Sequence, residues 1–140
     1  MTKQVLILCT GNSCRSQMAA GLVNHYLGDE WEAVSAGTKP AGYVHPLAVA
    51  AMAELGIDIS GYQSEVVDLY REWSFAVVIT VCAEAAEDCP LWLGEGDVVH
   101  IGFDDPAEAR GSEAEQMAVF GRVRDEIRGQ VLPFLREWDE

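Results

Sequence analysis

The chain has 140 residues, 49% apolar and 23% charged, which sets a single globular domain over residues 1–140 as the expectation. Its formal net charge of −14 argues against nucleic acid and anionic membrane surfaces as partners. No apolar run approaches the roughly eighteen residues of a membrane span, and the N-terminal run is too short for a signal peptide, so a cytoplasmic location is expected.

In chain order, the apolar run Val5-Leu6-Ile7-Leu8 marks a strand over residues 3–9. Met18, Leu22 and Tyr26, flanked by Ala19, Val23 and Leu27, mark one face of a helix over 16–27. A short strand near 32–36 ends at Gly37, and residues 37–44 form a loop with Lys39-Pro40 and Gly42. His45-Pro46 opens an Ala-rich helix closed by Gly56, with proline in its first turn and glycine past its end. Leu47, Ala51 and Leu55 mark its inner face, and residues 66–73 form a short helix. The near-continuous apolar run over 75–81 predicts a strand covered on both faces. Residues 98–101 form a further short strand. Residues 112–138 form a long helix whose inner face is Met117, Phe120, Val123, Ile127, Val131, Phe134 and Trp138, with Pro133 kinking its last turns. The alternation predicts an α/β fold: a four-stranded parallel open sheet with helices on both faces. Ligands of such sheets sit beyond the carboxyl ends of the strands.

The chemistry concentrates at the first strand's end, in Cys9-Thr10-Gly11-Asn12-Ser13-Cys14-Arg15-Ser16. A thiol ends a strand, a five-residue loop follows, and an arginine opens a helix. Backbone N–H groups of such a loop can converge as an anion-binding nest, reinforced by the donors and partial charge of a helix N-terminus. Arg15 adds a planar fork for two oxygens of a tetrahedral anion. The same field favours the Cys9 thiolate, the reactive form. Thr10, Gly11, Asn12, Ser13, Cys14, Arg15 and Ser16 are therefore the candidate oxyanion-binding set, with Cys9 as nucleophile. Ser16 can donate to the thiolate, Asn12 braces the loop, and Cys14 fills space or bonds Cys9 protectively. The bland alternative is a buried cysteine beside an unrelated surface arginine. Arg15 is the first arginine in a chain with 23 acidic and 9 basic side chains, which makes a merely solubilising role odd.

Asp104-Asp105-Pro106 follows the last predicted strand. A carboxyl group over the loop can protonate an oxygen leaving a trapped anion. Pro106 restricts Asp105 to extended or turn conformations, which suits a fixed acid. An ordinary Asp-Pro turn is the alternative.

Four cysteines stand at 9, 14, 82 and 89. No Cys-x2-Cys pair exists and His25, His45 and His100 are scattered, so no metal site is expected. Seven helical residues would separate the Cys82 and Cys89 Cα atoms by about 10.5 Å, whereas a disulfide spans roughly 4.4–6.8 Å. If they pair, a reduced-state helix must melt on oxidation. Two incidental cysteines are the alternative. With Cys9 expected at the same sheet edge, a Cys9-Cys82-Cys89 thiol relay is the better account.

These residues resemble the thioredoxin-coupled arsenate reductases, which share the low-molecular-weight tyrosine phosphatase fold. The resemblance rests on Cys9-Thr-Gly-Asn-Ser-Cys-Arg-Ser-Gln-Met-Ala19, Ser35-Ala-Gly37, Gly56-Ile-Asp-Ile-Ser60, Thr80-Val-Cys82 with Cys89-Pro90, Gly102-Phe-Asp-Asp-Pro-Ala107, and Arg122-Val-Arg-Asp-Glu-Ile127. It implies Cys9 as nucleophile, Arg15 and the loop as oxyanion binder, Asp105 as general acid, and Cys82 and Cys89 as the shuttle. It implies arsenate as substrate, phosphate or sulfate as competing oxyanions, and thioredoxin as reductant. Related phosphatases place Tyr after Asp-Pro, and Ala107 stands here instead. Many family members carry Glu where this chain has Ala20, helping to hold potassium with Asn, Ser and an acidic residue. Asn12, Ser35 and Glu65 are the matching oxygens here, and no cofactor is expected. The alternative function is a phosphatase that hydrolyses phosphate monoesters through phospho-Cys9. A sensor that binds oxyanions without turnover is a third reading.

Overall fold

The computed structural model describes residues 2–9, 11–82 and 95–138. Its order is β1 (Lys3–Cys9), α1 (Arg15–Tyr26), β2 (Trp31–Gly37), α2 (Pro46–Ala53), a 3-10 turn (Val67–Tyr70), β3 (Ser74–Cys82), β4 (Glu95–Phe103), a 3-10 turn (Pro106–Glu108) and α3 (Glu113–Glu137). The strands form one parallel sheet in the order β2-β1-β3-β4. The open four-stranded parallel sheet is therefore as expected. All four carboxyl ends lie at one edge, with β1 central, so the loop after Cys9 opens between covered neighbours.

Alternation of side chains along β1 divides the core. Val5, Ile7 and Cys9 face the larger cluster, with Val77, Ile79, Val81 and residues of α1, α2 and α3. Leu6 and Leu8 face the smaller one, with Ala36, Val78, Phe75 and the turn residues Val67 and Tyr70. Among the described residues, the three α-helices thus share one face and the 3-10 turn covers the other. Burial of side chains such as Leu6, Ile7 and Leu8 contributes about 1.5–3 kcal/mol each, which makes β1 a rigid mount for the residue at its end.

Residues 16–23 of α1 are all buried. A Cβ at Gly21 would stand 2.7 Å from Ile59 Cγ2 and 3.1 Å from Met52 Cε, so only glycine allows this close approach. His45 caps α2 and Pro46 takes its first position, as the sequence predicts. The 66–73 helix contracts to the turn Val67–Tyr70, and β4 is longer than its predicted core. The helix α3 starts from a Ser112–Glu115 capping box and runs through Pro133. Its buried seam passes from Ile127 and Val131 to Leu132 and Leu135, leaving Phe134 and Trp138 only partly covered. No helix among the described residues is long and apolar enough to cross a membrane.

Candidate active site

The site grows from the end of β1. Cys9 is buried, and three backbone bonds tie its loop to the segment after β2. Thr38 N donates to Cys9 O at 3.2 Å, Ala41 N to Gly11 O at 2.8 Å, and His45 N to Ser13 O at 2.9 Å. Gln17 Nε2 donates to Asn12 O at 2.9 Å. In a planar trans peptide the C=O and the following N–H point oppositely. With the carbonyls of 11, 12 and 13 bonded outward, the N–H groups of Asn12, Ser13 and Cys14 turn to the concave side. Asn12 N indeed donates to Cys9 Sγ at 3.2 Å. Asn12 adopts φ 48, a left-handed conformation that asparagine tolerates better than most residues.

The side-chain network orients the sulfur. Glu65 N is donor-only, and it lies 2.7 Å from Asn12 Oδ1. That fixes the amide, whose Nδ2 donates to Ser16 Oγ at 2.8 Å. Ser16 Oγ accepts there and keeps its own proton free to donate to a Cys9 thiolate, whose Sγ lies 3.0 Å away. Two donors thus reach the sulfur, and both favour its anionic form.

Arg15 opens α1 beside the loop. Its Nη1 donates to Phe103 O at 3.1 Å, and Nη2 lies 3.6 Å from Asp105 Oδ2. Its Nε is buried with no hydrogen-bond partner among the described residues. An unsatisfied buried donor costs about 1–3 kcal/mol, which an oxyanion seated on the guanidinium would recover. Asp105 caps the 3-10 turn, accepting from Ala107 N at 2.9 Å, with Pro106 next in the turn. Asp104 turns away, to Arg122 Nη2 at 3.4 Å.

Cys14 is a buried free thiol. Burial pushes it up to about 12, with nearby Asp105 and Cys9 adding to the effect. It packs within the loop beside Ser13. His45, expected to open α2, accepts from Leu47 N through Nδ1 at 3.1 Å. It also borders the site: burial lowers its pKa, opposed by the Asp105 carboxylate. His100 bonds Thr80 at 2.6 Å, and His25 lies in the last turn of α1. Among the described residues, no three His, Cys, Asp or Glu side chains are grouped to hold a metal ion.

Each of the oxygens that the resemblance offers to potassium takes part in a hydrogen bond. Asn12 Oδ1 accepts from Glu65 N, Ser35 Oγ donates to Gln17 Oε1 at 3.2 Å, and Glu65 Oε1 accepts from Tyr70 Oη at 2.5 Å. Ala20 adds no oxygen ligand from its side chain, and with Glu65 as its single carboxylate the set does not fit a resident cation.

The structure thus brings together Cys9, Gly11, Asn12, Ser13, Cys14, Arg15, Ser16 and Asp105. The backbone of Cys82 ends β3, beside β1 and opposite Phe103. Thr10, Cys89 and the helix expected between Cys82 and Cys89 lie outside the described residues. Sequence reasoning missed Gln17, whose amide bonds the loop carbonyl of Asn12, and Tyr70, whose hydroxyl bonds Glu65. A buried Gln in the first turn of α1 was the available signal for the former.

The chain belongs to the low molecular weight phosphotyrosine protein phosphatase family, whose model matches residues 4–140. Within that class its similarity is to arsenate reductases. The arsenate reductase of Halalkalibacterium halodurans is 50% identical over 135 residues, covering 96% of each chain. Among solved structures, an arsenate reductase in the phosphate binding state superposes with TM-score 0.78 at 28% identity, covering 99% of this chain and 100% of that one. The thioredoxin-dependent arsenate reductase of Corynebacterium glutamicum gives TM-score 0.67 at 27% identity, over 98% of this chain and 64% of that one.

Proposed function

We propose that this protein reduces arsenate to arsenite, with Cys9 as nucleophile and thioredoxin as the source of electrons. The observation that carries the reading is the Cys9 sulfur, held by Asn12 N and Ser16 Oγ at the base of a loop beside a buried Arg15 Nε that has no hydrogen-bond partner among the described residues. The identity to curated arsenate reductases supports the choice of arsenic over phosphorus.

Arsenate sits with its oxygens on the loop N–H groups and Arg15. The Cys9 thiolate attacks arsenic, an As–S bond forms, and Asp105 protonates the departing oxygen, which leaves as water. The Cys82 thiolate then attacks Cys9 sulfur. A Cys9–Cys82 disulfide forms, and the electron pair of the As–S bond stays on arsenic, which leaves as arsenite. The Cys89 thiolate attacks Cys82 and frees Cys9. The resulting Cys82–Cys89 disulfide passes to thioredoxin for reduction.

The family match favours a second, subordinate activity. The first half of this chemistry, run on a phosphate monoester, gives phospho-Cys9 for hydrolysis by water. Ala107 provides no aromatic platform for a phosphotyrosine ring, so turnover of such esters is weak. The test is NADPH consumption by thioredoxin reductase and thioredoxin with the purified protein. Arsenate should drive it. Phosphate-ester hydrolysis with no arsenate-dependent consumption would reverse the two readings.

A further inference from the structure

Tyr70 closes the 3-10 turn on the sheet face away from the three α-helices. It is 8% exposed, with its ring 4.9 Å from Trp73 and 6.4 Å from Phe75. Its hydroxyl reaches Glu65 Oε1 at 2.5 Å. Burial and the Glu65 carboxylate hold the phenol well above its ordinary range, so it remains a donor. From the Glu65 carboxylate the line passes through the residue's own covalent frame to its backbone N–H. Glu65 N–H donates to Asn12, Asn12 to Ser16, and Ser16 to the Cys9 sulfur.

Beside this line lies a pocket of about 300 Å³, bordered by Gln17, Ala20, Ser35, Gln63, Glu65 and Tyr70. Glu65 is its one carboxylate. A pocket with two carboxylates calls for a cation to balance them, and a single carboxylate is satisfied by a neutral donor. Gln17 does the rest of what a cation would do there. Its Nε2 bridges two backbone carbonyls, Asn12 O and Gln63 O, each at 2.9 Å.

We propose that Tyr70 is a positioning residue for Cys9: its hydroxyl, closing on Glu65, completes a hydrogen-bonded brace that replaces a monovalent cation behind the loop. The inference rests on Cys9 as the nucleophile. Its readout is alkylation of Cys9 by iodoacetamide at neutral pH, followed by peptide mass without arsenate. Failure of the nucleophile reading would appear as turnover surviving Cys9→Ser, and failure of the brace as unaltered alkylation in Tyr70→Phe.

Tyr70→Phe keeps the ring packing and removes only the hydroxyl. Cys9 alkylation should slow about threefold, within the worth of one hydrogen bond. It should also become faster in potassium than in sodium at equal ionic strength, because the Glu65 carboxylate then faces the pocket bare. The wild type should alkylate equally in both salts. Ala20→Glu, which adds a second carboxylate, should introduce the same potassium preference without touching Tyr70. A potassium preference in the wild type would overturn the proposal. So would Tyr70→Phe behaving as wild type in both salts, or Ala20→Glu without a cation preference.

Discussion

Asp105 Oδ2 lies 3.6 Å from Arg15 Nη2, while its neighbour Asp104 faces the other way, 3.4 Å from Arg122. Only one of the two adjacent carboxylates can reach an anion held by Arg15. Asp105→Asn should slow the first chemical step by about 10²–10⁴-fold, the usual worth of a positioned acid. Asp104→Asn should change it little, since it loses only an exposed, solvent-screened ion pair. Single-turnover kinetics would check both, and the reverse ranking would move the acid to Asp104.

Cys14 and Cys9 share a loop, and the proposed nucleophile is Cys9 alone. Burial holds the Cys14 thiol near 12, so its thiolate is scarce throughout the ordinary working range. Alkylation mapped by mass should label Cys9 first, with Cys14 scarcely modified up to about pH 10 in the folded protein. A free thiol titrates near ~8.5, and Cys14 labelling with that midpoint would contradict its burial.

His45 links the stability of α2 to pH. Its Nδ1 accepts from Leu47 N only while the ring is neutral there, and burial lowers its folded pKa below 6.5. The unfolded chain therefore binds the proton more readily. The stabilisation is present above the unfolded value and lost as pH falls through the folded one. His45→Asn keeps a cap acceptor without titrating. Thermal midpoints measured from neutral to mildly acidic pH should fall more steeply for wild type than for His45→Asn. Parallel curves would show that the ring is not the titrating group.

The ordered relay proposed above would make Cys82 and Cys89 distinguishable. Without Cys89 it should halt at a Cys9–Cys82 disulfide, and without Cys82 at arsenylated Cys9. Single-turnover mass spectrometry of Cys82→Ser and Cys89→Ser reads these products. Identical products from the two variants would remove the order.

The parts of the site built from side chains on regular elements were legible in the sequence. Cys9 ends a strand, Arg15 opens a helix and Asp105 precedes a proline, and each carries its chemistry in its residue type. The parts built from backbone were not. The bonds from Thr38, Ala41 and His45 to alternate loop carbonyls involve N–H groups every residue possesses. Tyr70 stood in an expected short helix with nothing to mark its hydroxyl as a partner of Glu65, five residues earlier. The C-terminal seam of α3 drifted because the spacing of four from Ile127 to Val131 continues to Leu135 rather than to Phe134. The polar, exposed face of edge strand β4 concealed its full length from an apolar pattern.

The central claim is that one sulfur performs the attack on arsenic. Arsenite formed by Cys9→Ser, measured against wild type with thioredoxin, thioredoxin reductase and NADPH in excess, tests it most directly. A serine hydroxyl in the same place makes an oxygen ester of arsenic and leaves no sulfur for Cys82 to attack. Arsenite formation should fall to background while the variant stays folded. Sustained arsenite production by folded Cys9→Ser would contradict it.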